Sequence, residues 1–186
     1  MSIEVLNMFA PEPLDPSAPS PFDLTPLRLP EQFYWVRSVP PLLAGMQLPP
    51  RHTPWEHLYT IGFRHVVCLC SDRPVYDPSP LQRLVTVELC DLAEQPLPED
   101  PLEEERAIRI ISQTIVTCLH NGEGVIVHCA GGRGRTGTVL GSVLREIGHE
   151  ASEIVAFLDA VHKNRGKFGW PEAEWQRELV EKIYCL

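Results

Sequence analysis

The pattern of hydrophobic and polar positions divides the chain from residue 33 onward into alternating strands and helices. Compact apolar runs at residues 65–70 (HVVCLC), 85–90 (VTVELC) and 125–128 are typical of strands buried on both faces. Residues 33–39 have the aromatic and β-branched content of another strand, which a pair of prolines ends. Alternating strands and helices predict an α/β fold with a central, mainly parallel sheet flanked by helices.

Helical periodicity is clearest over residues 102–119, where isoleucines at positions 108, 111 and 115 have the spacing of one buried face. A short helix is predicted over Trp55–Ile61, with Thr53 as its N-cap and Pro54 at its first position. The remaining helices are predicted over residues 136–147, 151–162 and 171–184.

Prolines are concentrated at the start of the chain, because seven of the nineteen lie in residues 1–30. Such a segment cannot form a helix or an inner strand. It is either an extended arm lying along the domain or a partly disordered leader. We therefore expect a proline-rich N-terminal arm over residues 1–30 and one folded domain over residues 31–186.

Composition and charge narrow the class of protein. Hydrophobic residues make up 44% and charged residues 22%, which is typical of a globular domain. The net charge of -9 argues against a nucleic-acid surface. No apolar run approaches the roughly 18 residues of a membrane span, and residues 5–10 are too short and mixed for a secretory signal. We expect a cytoplasmic protein, and no oligomeric state follows from the sequence.

The six cysteines contain no C-x-x-C pair, so their spacing predicts neither a zinc site nor a secreted disulfide framework. Most of them are expected to be buried, reduced thiols.

The stretch HCAGGRGRT, residues 128–136, lies between the strand at residues 125–128 and the start of a predicted helix. It therefore sits at the carboxyl end of a parallel strand, where open α/β sheets bind ligands. Its three glycines allow successive backbone N–H groups to turn around an anion, and the helix N-terminus adds more. The sequence predicts a phosphate-binding loop formed by Ala130, Gly131, Gly132, Arg133, Gly134 and Arg135.

Cys129 lies at the base of this loop, where the field that binds phosphate also stabilises a thiolate. Arg135, six residues later, can offer two parallel N–H bonds to the oxygens of a transferring phosphoryl group. We expect Cys129 to be the nucleophile and Arg135 a phosphate ligand. The alternatives are a buried core thiol for the cysteine and surface solvation for the arginine.

These residues resemble the Cys-x5-Arg signature of the cysteine-dependent protein phosphatases. The longer form H-C-x-x-G-x-G-R-T-G is most similar to the dual-specificity and tyrosine phosphatase branches. The similarity extends through HVVCLCSDRP and the loop beginning at Asp91, over roughly residues 33–184. It implies a dual-specificity-phosphatase-like fold and hydrolysis of phosphate monoesters through a phosphocysteine intermediate at Cys129, with no cofactor and no metal.

In the family that this chain resembles, an aspartate on a movable loop upstream of the cysteine protonates the leaving group. Asp91 follows the strand at residues 85–90 and begins a proline-bearing loop, so it is the predicted general acid. Asp100 is the alternative acid, and it could instead be the N-cap of the helix at residues 102–119. The loop departs from the family's compact Asp-Gly-x-Pro-Pro form, which leaves this choice open.

The resemblance also implies supporting roles. Thr136 is expected to donate its hydroxyl to Cys129, or alternatively to cap the helix. His128 is expected to orient the loop through backbone hydrogen bonds. Gln176 is similar to the family's late glutamine that positions water, and an exposed helix glutamine is the alternative. Cys70 resembles a cysteine that some lipid-directed members pair with the nucleophile on oxidation, which predicts a reversible Cys70–Cys129 disulfide, with an inert thiol as the alternative.

The expected substrate is a phosphorylated protein, with phosphate on tyrosine, serine or threonine. Arg133 resembles a lysine found inside the loop of phosphoinositide phosphatases, where a second cation favours substrates with more than one phosphate. Those relatives have another lysine directly after the nucleophile, and this chain has Ala130 there. Inositol phosphates or phosphoinositides are therefore the second expectation.

Three other classes of protein compete with this interpretation. A non-catalytic phosphate-binding scaffold would be indicated by loss of the cysteine, arginine or acid, and all three are present. Rhodanese-like sulfur transfer also uses a loop cysteine, but the glycine-rich loop fits phosphate better. Low-molecular-weight tyrosine phosphatases carry their loop near the N-terminus, whereas here the nucleophile is at position 129 of 186.

Overall fold

The computed structural model describes residues 11–18, 20, 22, 33–71 and 74–183. Most of the predicted N-terminal arm therefore lies outside the described residues. Residues 11–18 contain no helix or strand, and a carboxylate oxygen of Glu12 lies 3.4 Å from a guanidinium nitrogen of Arg37. The division into an arm and a folded domain remains a prediction.

Five strands form one sheet in the order β1-β2-β5-β3-β4. Strand β1 pairs with β2 in antiparallel fashion, whereas the pairs β2–β5, β5–β3 and β3–β4 are all parallel. The predicted α/β fold with a mainly parallel sheet is confirmed. The strands are β1 (Phe33–Arg37), β2 (Leu43–Met46), β3 (Phe63–Cys68), β4 (Gln82–Thr86) and β5 (Gly124–His128).

Strand β2 was not predicted, because its sequence LAGM is short and lacks β-branched residues. It is nevertheless fully buried between β1 and β5. Gly45 is required there, since a Cβ at this position would overlap the ring of Tyr34 on β1.

The prediction for residues 85–90 was wrong in position and environment. Strand β4 covers Gln82–Thr86 at the edge of the sheet and is half exposed, because it has a neighbour on one side only. Beyond it, Glu88 forms an isolated bridge with Cys70. Strand β3 likewise begins and ends two residues earlier than the prediction of residues 65–70.

Asp100 is the N-cap of the longest helix, as one alternative for this residue predicted. Its side chain accepts hydrogen bonds from the backbone N–H groups of Leu102 at 3.2 Å and Glu103 at 3.1 Å. The expected Thr53 cap was wrong, because Pro54 occupies the N-cap position and the Thr53 hydroxyl donates to the Pro50 carbonyl. The helices are α1 (Trp55–Ile61), α2 (Pro101–His120), α3 (Gly134–Glu146), α4 (Ala151–Asn164) and α5 (Glu174–Lys182).

The core occupies both faces of the sheet because side chains alternate along each strand. On β5, Val125 and Val127 join the cluster against α2, α3, α4 and α5, while Ile126 joins the cluster that contains Leu58 of α1. Burial on both sides explains the uninterrupted apolar runs. Among the described residues, no helix is both long and apolar enough to cross a membrane.

Candidate active site

The predicted phosphate loop connects the end of β5 at His128 to the start of α3 at Gly134. Cys129 is 2% exposed, and its Sγ accepts a hydrogen bond from the backbone N–H of Gly132 at 3.2 Å. Across the sheet edge, the N–H of Leu48 donates to the carbonyl of Ala130 at 3.1 Å. The loop therefore curls around the sulfur and is anchored to the chain beyond β2.

The three glycines of the loop differ in what a side chain would meet at each position. Gly132 has φ +67°, and a Cβ there would lie 2.5 Å from the backbone nitrogen of Gln47. Gly134 has no such torsion, but a Cβ would collide with the Glu172 carboxylate. Gly131 has neither a positive φ nor a steric conflict, because no heavy atom would lie within 4 Å of an added Cβ. Only Gly132 has a positive φ, and the role of the three glycines in turning N–H groups around an anion remains a prediction.

Arg135, in the first turn of α3, is paired with Asp91. A guanidinium nitrogen of Arg135 lies 2.6 Å from a carboxylate oxygen of Asp91, and a second donates to the Leu89 carbonyl at 3.3 Å. The Asp91 side chain is 54% exposed and the Arg135 side chain only 10%, so surface solvation was wrong for this arginine. Nearby, Glu104 accepts from the Cys90 N–H at 2.8 Å, and burial raises the pKa of its carboxyl.

Arg133 is also held in place rather than freely solvated. Its guanidinium lies 2.8 Å from the Glu172 carboxylate and donates to the Gly169 carbonyl at 3.1 Å. Both charged side chains are largely buried, which compensates the Arg133 charge within the protein. Glu172 was missed from the sequence, since its partner lies 39 positions away and no local motif marks the pair.

Gln176 supports the segment that carries Glu172. Its residue exposure is 1%, and its side-chain carbonyl accepts from the N–H groups of Glu172 at 2.8 Å and Ala173 at 3.3 Å. The alternative of an exposed helix glutamine was therefore wrong. The amide nitrogen of Gln176 would lie 3.1 Å from a Cβ on Gly134, so the Gln176 side chain reaches the start of α3.

Thr136 is the third residue of α3 and is fully buried. Arg133 occupies the N-cap position, so the helix-cap alternative for Thr136 was wrong. The Thr136 hydroxyl has no hydrogen-bond partner within the described part of the chain. Its donation to Cys129 remains a prediction.

His128 packs beneath the loop and has no exposed surface. Its Nε2 forms a very short contact with the hydroxyl of Tyr76, and its Nδ1 lies 3.4 Å from the carbonyl oxygen of Cys129. These contacts hold the ring at the backbone of Cys129. Tyr76 gave no signal in the sequence.

Cys70 lies beside another thiol, Cys68, which is the last residue of β3 and precedes it by two positions. The hydrogen bond between the two thiols lowers the pKa of Cys68 and raises the pKa of Cys70. Together with His128, they place one ligand atom each within 4.8 Å of one another, and residues of these types bind Zn²⁺. The described contact of the Cys70 thiol is thus with Cys68, and the Cys70–Cys129 disulfide remains a prediction.

Solved structures share this fold. PTPMT1 in complex with PI(5)P superposes with a TM-score of 0.61 at 15% identity, over 82% of this chain and 94% of that one. Human tyrosine phosphatase-like serine/threonine/tyrosine-interacting protein gives a TM-score of 0.56 at 17% identity, over 75% and 89%. Kinase associated phosphatase (KAP), with its catalytic-site cysteine replaced by serine, gives 0.55 at 16% identity, over 76% and 84%.

Sequence comparison assigns the chain to a family. The matching family model is described as PTP-SAK: Swiss Army Knife protein, DSP-PTPase phosphatase domain, and it covers residues 30–165. This range contains the whole phosphate loop and the strands and helices that hold it. The chain therefore belongs to the PTP-SAK family of DSP-PTPase phosphatase domains, within the cysteine-dependent tyrosine and dual-specificity phosphatase superfamily.

Proposed function

We propose that this protein hydrolyses phosphate monoesters through a covalent phosphocysteine on Cys129. The observation that carries the proposal is the buried Cys129 sulfur, which accepts from the Gly132 N–H and stands six residues before an arginine, Arg135, that is paired with Asp91. We infer that these groups act together as nucleophile, anion-binding N–H, phosphate-binding arginine and acid. The proposed reaction uses no metal or other cofactor.

In the first step, the Cys129 thiolate attacks phosphorus, so that an S–P bond forms and the P–O ester bond breaks. The loop N–H groups and Arg135 hold the equatorial oxygens, where charge is greatest in the transition state. Binding of the phosphate draws Arg135 towards the phosphoryl oxygens and releases Asp91 to face the leaving oxygen. Asp91 then protonates the leaving oxygen.

In the second step, water attacks the phosphocysteine and the S–P bond breaks. Asp91, now ionised, takes a proton from the water, so inorganic phosphate leaves and the Cys129 thiolate returns. In this proposal the buried hydroxyl of Thr136, which has no partner within the described residues, turns to donate to that thiolate. Gln176 has its carbonyl engaged by two backbone N–H groups, so its amide nitrogen is the group that would meet the water.

For the substrate, we propose phosphotyrosine, phosphoserine or phosphothreonine in cytoplasmic proteins. Inositol phosphates or phosphoinositides are the second candidate, and they are favoured by the structural likeness to PTPMT1 in complex with PI(5)P. The internal Arg133–Glu172 pair weakens that candidate, because it compensates the cation expected to bind a second phosphate.

The test is phosphate release by the full chain from phosphopeptides and from inositol phosphates. Cys129→Ser should abolish release, since serine lacks the nucleophilic thiolate. Cys118→Ser, at a buried thiol on α2, is the matched control and should retain activity. If the wild-type protein binds phosphorylated ligands but releases no phosphate, the scaffold interpretation replaces this proposal.

A further inference from the structure

A lysine that the sequence analysis did not single out lies on the rim of the phosphate loop. Lys167, in the segment between α4 and α5, donates through its ammonium group to the carbonyl of Gly131 at 2.9 Å. The same nitrogen lies 3.5 Å from the side-chain oxygen of Gln47. The lysine is thereby held against the loop that surrounds Cys129.

Lys167 differs from the two loop arginines in the charge of its partners. Arg133 and Arg135 each face a carboxylate, at 2.8 and 2.6 Å. Over the residues that the structure describes, the polar partners of Lys167 are neutral oxygens, and none of the carboxylates lies within 4.0 Å of its ammonium. Burial, followed by repulsion from Arg165, lowers its pKa. An added anion would therefore compensate a charge that no carboxylate of the described residues balances.

A groove runs from this lysine along the outside of the loop. It has a volume of about 510 Å³, within the range of roughly 300 to 1,000 Å³ typical of ligand pockets. Phe168 stands at its rim with 83% of its surface exposed. The lining residues are Gly131, Arg133, Gly166, Lys167, Phe168 and Glu172.

The charges of the groove select one class of ligand. The Arg133–Glu172 pair is neutral as a unit, so Lys167 contributes one net positive charge beside an exposed aromatic ring. A ligand bearing several phosphates would place excess negative charge next to the Glu172 carboxylate. A carboxylate side chain next to an apolar one matches both the charge and the ring.

We propose that this groove is a substrate subsite that binds an aspartate or glutamate flanking the phosphorylated residue of a protein substrate, through Lys167, with apolar contact to Phe168. This inference rests on the proposed function and narrows it to acidic phosphorylated segments. Lys167 acts here as a specificity residue, since it binds the substrate away from the reacting atoms.

The test compares pairs of phosphopeptides that differ only by aspartate or asparagine on either side of the phosphorylated residue. At one of the two flanking positions, the wild-type full chain should cleave the aspartate peptide with a kcat/KM about tenfold higher than that of the asparagine peptide. The difference should lie in KM, as expected of one partly buried ion pair. Lys167→Gln should bring this ratio close to one, and Lys167→Arg should keep most of it. Lys182→Gln, the same charge change at the exposed end of α5, should leave the ratio unchanged.

The ratio, rather than the rate, is the readout, because Lys167 also anchors Gly131 and its loss could slow every substrate equally. An aspartate preference that survives in Lys167→Gln, or is absent from the wild type, overturns the proposal. The proposal is also overturned if an inositol bisphosphate is cleaved with a higher kcat/KM than the peptides and this cleavage depends on Lys167.

The same preference can be measured without turnover, by fluorescence anisotropy of labelled phosphopeptides bound to Cys129→Ser with and without Lys167→Gln. A Lys167-dependent preference in binding, without phosphate release by the wild type, supports the subsite and rejects the proposed hydrolysis. Release without that preference rejects the subsite alone.

Discussion

Replacing Gly132 by alanine tests the geometry of the phosphate loop most directly. The residue has φ +67°, a conformation that costs an L-residue about 1 to 2 kcal/mol. The new Cβ would also lie 2.5 Å from backbone atoms of Met46 and Gln47. Those atoms cannot withdraw easily, because Met46 is paired with His128 in the parallel β2–β5 ladder. Overpacking of this kind costs about 1 to 3 kcal/mol, so the total loss should be about 2 to 5 kcal/mol.

Urea unfolding measures this loss. With a dependence of about 2 kcal/mol per molar urea, the midpoint of Gly132→Ala should fall by about 1 to 2.5 M. Gly131→Ala is the matched control, one residue away, with an ordinary φ and no heavy atom within 4 Å of the added carbon. It should unfold within about 0.5 kcal/mol of the wild type. Equal losses in the two variants, or no loss in Gly132→Ala, would refute the reasoning.

Three further predictions concern single side chains. Asp91→Asn should slow aryl phosphates with poor leaving groups about 10²- to 10⁴-fold in kcat and those with good leaving groups far less; equal slowing would exclude Asp91 as the acid. Asp100→Ala should lower the free energy of unfolding by about 1 kcal/mol through loss of the α2 N-cap, while a changed leaving-group dependence would make Asp100 the acid instead. Burial of His162, helped by nearby Arg165, lowers its pKa from 6.5 to about 3, so below pH 6.5 the unfolded chain binds a proton that the folded one does not. The free energy of unfolding should therefore fall as the pH drops from 6.5 towards 3, by about 2 kcal/mol at pH 5. His162→Gln should remove this pH dependence from denaturation curves, and an unchanged pH dependence in the variant would contradict the prediction.

Local patterns predicted the elements with strong periodicity. Helix α2 was expected at residues 102–119 and lies at Pro101–His120, because its buried isoleucines and its ends are both encoded within a few residues. The same patterns failed for β2, whose four residues show no local preference for a strand. Its conformation depends on pairing with β1 and β5, which are distant in sequence.

Within the site, the sequence predicted the residues that share one loop and missed those brought to it from elsewhere. Cys129 and Arg135 stand six positions apart, so their chemistry could be interpreted from spacing alone. Glu172 and Lys167 approach the loop only because α3, α4 and α5 pack on the same face of the sheet. No short motif marks such contacts.

Local patterns were enough to predict the α/β class and the residues of the candidate loop, since glycine positions, hydrophobic periodicity and strand-to-helix order are properties of neighbouring residues. Two other features depend on the tertiary structure. They are the position in the loop at which glycine cannot be replaced, and, among the described residues, the pairing of Arg133, but not Lys167, with a carboxylate. Gly132 must be glycine because the β2 backbone passes close to it, and Arg133 is neutralised because Glu172 is packed beside it. Such effects depend on distances between segments far apart along the chain, and only the folded packing sets those distances.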